Sequence, residues 1–171
     1  VVGLAFNDVI ETHLRTPAVA AVTLAAGALA FLWVERRAGR SRGHSSLSLG
    51  EAALIGCAQA LALVPGVSRS GATLTVALLL GLARADAAQF IFLLSVPAIL
   101  GAAAKEAPLL LSSNLGGDIP QLFAIGVVTS MLVGYLSVRF FVAFLGRRSL
   151  DVFAWYRLTL TAVVVVWMVR G

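Results

Sequence analysis

Charge is scarce in this sequence: Asp, Glu, Lys and Arg together make up 12% of its 171 residues, against 60% hydrophobic ones. A soluble domain carries about 25% charged residues. A chain with half that fraction has too little polar surface to cover a water-soluble globule. Its mean hydropathy is +0.96, and a bilayer is its natural solvent. Cysteine is nearly absent as well. The single Cys57 excludes an internal disulfide and, inside an apolar segment, reads as a small packing residue. The chain opens on Val1, with no initiator methionine and no charged leader, so the expectation is a processed product or a piece of a longer protein. His13 and His44 lie outside the apolar runs and share no ligand-like spacing with Cys57 or an acid.

What is present is organised in apolar runs. Residues 16–34 form an uncharged run that as a helix covers about 28 Å, enough for one crossing. Residues 1–15 before it read as an amphipathic helix or the end of an earlier one. Residues 35–49 form a basic linker with Arg36, Arg37, Arg40 and Arg42. Three further spans are expected over 89–104, where Pro97 predicts a kink, over 120–145 and over 152–169. The net charge is +5 with a pI near 10.7. The arginines sit mainly in the short loops, where they orient a membrane protein, so nucleic acid is not expected as a partner.

The region 50–83 differs in kind. Two apolar segments, 51–64 and 72–82, flank Pro65-Gly66-Val67-Ser68-Arg69-Ser70-Gly71. Each is too short to cross about 30 Å of hydrocarbon, so together they read as a re-entrant hairpin. Charge counting agrees. With a hairpin, Arg36, Arg37, Arg40, Arg42, Arg84, Arg147 and Arg148 share one side, the cytoplasmic one, and Arg15, Lys105 and Arg170 share the other. The fold expected is an all-α integral membrane domain of about four spanning helices plus one re-entrant hairpin.

Non-helical backbone at membrane depth is tolerated where it lines a polar cavity, and an arginine there costs roughly 3 kcal/mol or more. An anion against Arg69 is therefore expected. Gly66 and Gly71 allow amides to turn inward, and the second short helix, starting near Gly71-Ala72, would aim its positive end into the loop. Ser68, Ser70 and Thr73 add hydroxyls, and Arg69 a forked guanidinium. The pattern describes a phosphate cradle. The alternative is a structural break in which Arg69 pairs with an acid and the serines cap a helix. Gln59, about two turns earlier, faces the same cavity or bonds a neighbouring helix. Arg157 either points to the cavity or, the reading given more weight, snorkels to an interface, as Arg139 does. Glu51 and Asp86 read as interfacial.

The run Ile55-Gly56-Cys57-Ala58-Gln59-Ala60-Leu61-Ala62-Leu63-Val64-Pro65-Gly66-Val67-Ser68-Arg69-Ser70-Gly71-Ala72-Thr73 closely resembles the signature of the bacitracin-resistance type of undecaprenyl-diphosphate phosphatase, whose second motif is PGxSRSGxT. Also similar are Ala87-Ala88-Gln89-Phe90 with Phe92-Leu93-Leu94 and Pro97, Gly117-Asp118-Ile119-Pro120, and Phe153-Ala154-Trp155-Tyr156-Arg157. The resemblance implies an inner-membrane enzyme, facing the periplasm, that hydrolyses undecaprenyl diphosphate to the monophosphate. That product is the lipid carrier for peptidoglycan precursors, and the activity confers bacitracin resistance. It implies a fold of two inverted repeats, of which this chain is one half with the last helix of the other. A homodimer is a possible assembly.

By motif, the resemblance makes Arg69 and Ser68 catalytic, and Gly66, Ser70, Gly71, Thr73 and Gln59 substrate-binding. It also implies a divalent cation, Mg or Ca. The family's Glu-rich stretch and its following Pro-x-Ser-Ser-Thr-Gly-His segment are absent, so no metal ligand is expected in this chain. Gln89 stands where the family commonly has Glu. A transporter or flippase for a phosphorylated lipid and an inactive, shortened homologue are the competing readings.

Overall fold

A computed structural model of the chain describes residues 16–37, 39, 41–112 and 119–170. The reading of residues 1–15, with His13, lies outside the described residues, as does the Gly117-Asp118 part of the motif. Among the described residues the regular structure is helical: α1 (Pro17–Glu35), α2 (Leu49–Ala58), α3 (Arg69–Leu79), α4 (Arg84–Ser112), α5 (Ile119–Leu145) and α6 (Asp151–Arg170), with short 3₁₀ turns at His44–Ser46 and Gln59–Leu63. Four helices are long and apolar enough to cross a membrane: Pro17–Glu35, Arg84–Pro108, Gln121–Leu145 and Asp151–Arg170. The described residues are those of a helical membrane protein.

Local signals explain where these helices start. Thr16 caps α1, its hydroxyl accepting from the Val19 amide at 3.2 Å, and Pro17 takes the first helical position, where its missing N–H costs nothing. Ser48 and Glu51 form a reciprocal capping box at α2. Ser68 caps α3 by accepting from the Gly71 amide at 3.2 Å. That cap starts α3 at Arg69, two residues earlier than expected from the apolar pattern, so Arg69 and Ser70 ride in its first turn. α4 starts at Arg84, five residues before the span expected over 89–104, and runs on through Pro97 and Pro108.

α1 packs most extensively on α6, and α3 contacts α1, α2 and α4. Small residues let the backbones approach, as in membrane bundles generally: Ala21, Ala28 and Ala154 are buried at these contacts. The core gathers Phe31 and Val34 of α1, Ile55 of α2, Leu74, Ala77 and Leu78 of α3, Ala87, Ala88 and Ile91 of α4, with Leu145 and Leu150. The exposed faces are apolar, with Leu122, Phe123, Met131, Leu136 and Phe140 open on α5, as suits side chains solvated by lipid.

The ends of the helices are tied together at one side. The Glu35 carboxylate at the end of α1 pairs with Arg84 at the start of α4, and its Oε2 lies 3.4 Å from the Leu150 amide just before α6. Arg42 forks onto Glu51 at 2.8 and 3.1 Å and also donates to the Leu80 carbonyl at 2.8 Å. One guanidinium thus bridges the first turn of α2 and the end of α3, so the two ends of the hairpin meet. His44 Nδ1 sits 2.8 Å from Asp86 Oδ1. The acids read as interfacial, Glu51 and Asp86, are therefore specific partners, and His44 has an acidic neighbour that its sequence spacing did not reveal. Arg42 holds the Glu51 carboxyl down at about 2, with the Ser48 amide adding to the effect. Cys57 is exposed and is not the core-packing residue its apolar surroundings suggested.

Candidate functional site

At the far end of the hairpin, Val64–Val67 make a tight turn closed by the Val67 amide on the Val64 carbonyl at 3.1 Å. Proline is at its second position and glycine at its third, with φ +84° at Gly66. This is the residue pattern of a type II turn, whose third position needs a left-handed residue. Space demands glycine there too: a Cβ on Gly66 would lie 2.2 Å from Thr23 Oγ1 and 2.7 Å from the Ala20 carbonyl oxygen. The turn is thus seated on α1. Thr23 donates to the Pro65 carbonyl at 2.6 Å, and Thr23 lies twelve residues before Glu35, about 18 Å along the helix from the tied ends.

The structure brings Gln59, Ser68, Arg69, Ser70 and Thr73 around one cavity of about 320 Å³, with Ser95, Ile91, Phe92 and Ile99 of α4 completing its wall. Ser68, Arg69 and Ser70 are exposed, and the Ser68 and Ser70 hydroxyls lie 3.2 Å apart. The first intrahelical bond of α3 is Ala72 to Ser68 at 2.9 Å. The amides of Arg69 and Ser70 precede it and need partners from outside the helix. The Thr73 hydroxyl donates to the Arg69 carbonyl at 2.8 Å, which fixes the first turn of α3 from its buried side. Gly66 and Gly71 do not line this cavity. They border, together with Ser68 and Ser70, a cavity of about 410 Å³ that includes Phe31, Phe153, Tyr156 and Arg157.

Arg157 is where the structure corrects the sequence reading most. The weightier expectation was an arginine snorkelling to an interface. Instead it is buried at 8% exposure, its Nη2 donating to the Gly66 carbonyl at 3.0 Å and its Nε without a partner among the described residues. Arg139 is exposed on α5. Sequence reasoning also missed Thr23 and Ser95. Each is a lone hydroxyl in an apolar span, and only packing reveals what it faces.

Chemically, the cavity joins a guanidinium, two hydroxyls, an amide side chain and a helix N-terminus, all able to donate to an anion with several oxygens. Among the described residues no three of His, Cys, Asp and Glu gather as metal ligands, so this part of the chain does not furnish a donor set for the implied divalent cation.

The model of the family described as bacitracin resistance protein BacA matches residues 1–163. The chain belongs to that family. Among relatives of this BacA-family chain are the undecaprenyl-diphosphatase of Rubrobacter xylanophilus, 45% identical over 163 residues covering 95% of this chain and 60% of that protein, and that of Thermodesulfovibrio yellowstonii, 42% identical over 96% of this chain and 63% of the relative. The undecaprenyl-diphosphatase of Pseudomonas aeruginosa is 40% identical over 92% of this chain and 57% of its own length. The chain therefore spans about 60% of the length of the relatives it matches.

Proposed function

We propose that this chain supplies the diphosphate-holding half of an undecaprenyl-diphosphate phosphatase. The observation that carries the reading is the meeting of Gln59, Ser68, Arg69, Ser70 and Thr73 at one cavity against the α3 N-terminus, on a chain whose relatives are named undecaprenyl-diphosphatase. The reaction is hydrolysis of a phosphoanhydride. Water adds its oxygen to the terminal phosphorus, the bond to the bridging oxygen breaks, and undecaprenyl phosphate leaves with inorganic phosphate as the second product. Charge spread over the terminal phosphoryl oxygens is what a catalyst must meet. Arg69 meets it with a forked, permanently charged donor, while Ser68, Ser70 and the first-turn amides of α3 add fixed dipoles. Gln59 orients the substrate from the 3₁₀ segment. The divalent cation implied by the family resemblance would be ligated from outside the described residues, and none of these steps runs through it.

The reading extends to placement. The hairpin from Leu49 to Leu79 dips to mid-membrane and returns to the side of the tied ends. The basic segments at those ends face the cytoplasm, and the cavity opens toward the periplasmic side of the inner membrane. The chain is one half of an inverted-repeat fold, and its product recycles the lipid carrier of cell-wall synthesis, which is the basis of bacitracin resistance.

Phosphate release from undecaprenyl diphosphate by the detergent-solubilised full-length protein tests the reading. Arg69→Ala should lower kcat/KM by about 10²-fold or more, and Arg69→Lys should recover part of it, since a lysine restores charge but not the fork. Undiminished turnover in Arg69→Ala would overturn the assignment. A wild-type protein that binds the lipid without releasing phosphate would favour a carrier instead.

A further inference from the structure

The hairpin tip is held from behind by a cation that lies outside the Arg69 cavity. Arg157 is 8% exposed and borders cavities of about 410 and 370 Å³, the first shared with Ser68 and Ser70 and the second with Ser68. An arginine buried in a spanning helix is costly, and an apolar residue of similar size would pack there at lower cost. The chain nevertheless makes room for it. A Cβ on Gly27 would lie 2.4 Å from Nη2, and one on Gly71 3.1 Å from Nη1. What arginine supplies that a hydrophobe cannot is a donor, and the donor is used on the Gly66 carbonyl at 3.0 Å.

That choice of acceptor has a chemical consequence. The bond that closes the tip turn uses only the Val64 carbonyl, which leaves the Pro65 and Gly66 oxygens free to point elsewhere. Each is the negative end of a peptide dipole and would repel a phosphate if it faced the Arg69 cavity. Thr23 takes the first at 2.6 Å and Arg157 takes the second, so both oxygens are drawn toward α1 and α6. Of the residues that follow, Arg69 lines the cavity against α4, while Ser68 and Ser70 stand between that cavity and the one beside Arg157.

We propose that Arg157 is a positioning residue: with Thr23 as its counterpart, it anchors the turn carbonyls away from the anion site and so sets the register in which Ser68, Arg69 and Ser70 meet the diphosphate. The inference rests on reading the Arg69 cavity as the phosphate site, and it assigns Arg157 no contact with substrate.

Steady-state kinetics of the full-length protein on undecaprenyl diphosphate tests it. Misplacing reacting groups by about 1 Å costs up to 10²-fold, so Arg157→Met should lower kcat about 10- to 100-fold while KM stays within about threefold. Arg157→Lys, which keeps a charged donor, should stand between wild type and Arg157→Met. Gly27→Ala touches nothing in the Arg69 cavity but displaces the guanidinium, so it should reproduce the kcat loss. The double variant Arg157→Met/Gly27→Ala should be no worse than Arg157→Met alone, because both act on one contact. A loss expressed mainly in KM would make Arg157 a direct substrate ligand, and a silent Gly27→Ala would show that the guanidinium position does not matter. Either result overturns the proposal. Should Arg157→Met not fold, Gly27→Ala and Thr23→Val decide: reduced kcat in both sustains the anchor, and unchanged kcat refutes it. If wild type releases no phosphate, the phosphatase reading fails on its own. The anchor is then judged by amide hydrogen exchange over Val64–Ser70, which Arg157→Met or, should it not fold, Gly27→Ala should speed about tenfold, and equal exchange rates would overturn it.

Discussion

Replacing Gly66 by alanine should disable the hairpin tip, and its cost can be worked from the structure. A left-handed conformation, φ +84° at this position, costs an L-residue about 1–2 kcal/mol. The added methyl would also stand 2.2 Å from Thr23 Oγ1, 2.7 Å from the Ala20 carbonyl oxygen and 2.9 Å from the Ala20 Cα. Overpacking of this kind costs about 1–3 kcal/mol. Pushing the turn off α1 stretches the Thr23 bond to Pro65, now 2.6 Å, a loss of about 1 kcal/mol. Together these come to about 3–6 kcal/mol, carried by local opening of the tip or by displacement of Ser68 and Arg69 from their cavity. The assay is paired: thermal unfolding in detergent, and phosphate release at saturating lipid. We expect Gly66→Ala to lose at least about 10²-fold in kcat, with a lowered unfolding temperature. A companion variant separates the contributions. Thr23→Ala/Gly66→Ala removes the closest contact but leaves the clash with the Ala20 backbone and the strained φ, so it should recover little. Wild-type turnover and unfolding temperature in Gly66→Ala would refute the argument, and full rescue by Thr23→Ala would show that φ strain is not part of it.

Two further outcomes follow from other contacts. Glu51 is held at about 2 by Arg42, below its ordinary value, so the pair's contribution is fully present above the usual carboxylate range and is lost as pH falls through about 2. The difference in unfolding temperature between wild type and Glu51→Gln should accordingly be constant from pH 7 to about 5 and shrink between about 4.5 and 2; a difference already gone at pH 6 would contradict the pairing. Ser95→Leu places an isobutyl group in the cavity of about 320 Å³ shared with Arg69, and should raise KM about tenfold or more without changing the unfolding temperature. Unchanged KM would mean the substrate does not enter there.

The fold was legible wherever a single local rule governs. Twenty apolar residues in sequence can only be a helix in lipid, because no other structure satisfies every backbone group within one segment. The runs ending in α1, α5 and α6 were therefore readable to within a residue or two of their observed bounds. The break at Pro65-Gly66 was equally plain, since a proline followed by a glycine carries its conformational preferences in its own covalent structure. The start of α3 was misplaced because hydropathy cannot see a cap: Ser68 and the two polar residues after it look like loop, yet they nucleate the first turn.

The candidate site divides along the same line. The sequence by itself determined that a guanidinium and hydroxyls cluster around a helix N-terminus, because Ser68, Arg69, Ser70 and Thr73 are close in the chain and adopt their relation within the cap and first turns of one helix. Only the tertiary structure decided that Ser95 faces them from α4, that Thr23 and Arg157 hold the turn from α1 and α6, and that Gly27 is small to admit a guanidinium. These residues are separated by tens of positions, and an isolated threonine, serine, glycine or arginine in an apolar span carries no local sign of its partner. Arg157 makes the difference concrete. Its sequence surroundings allow a side chain of that length to reach water at the interface, and what turns it inward is a carbonyl 91 residues away.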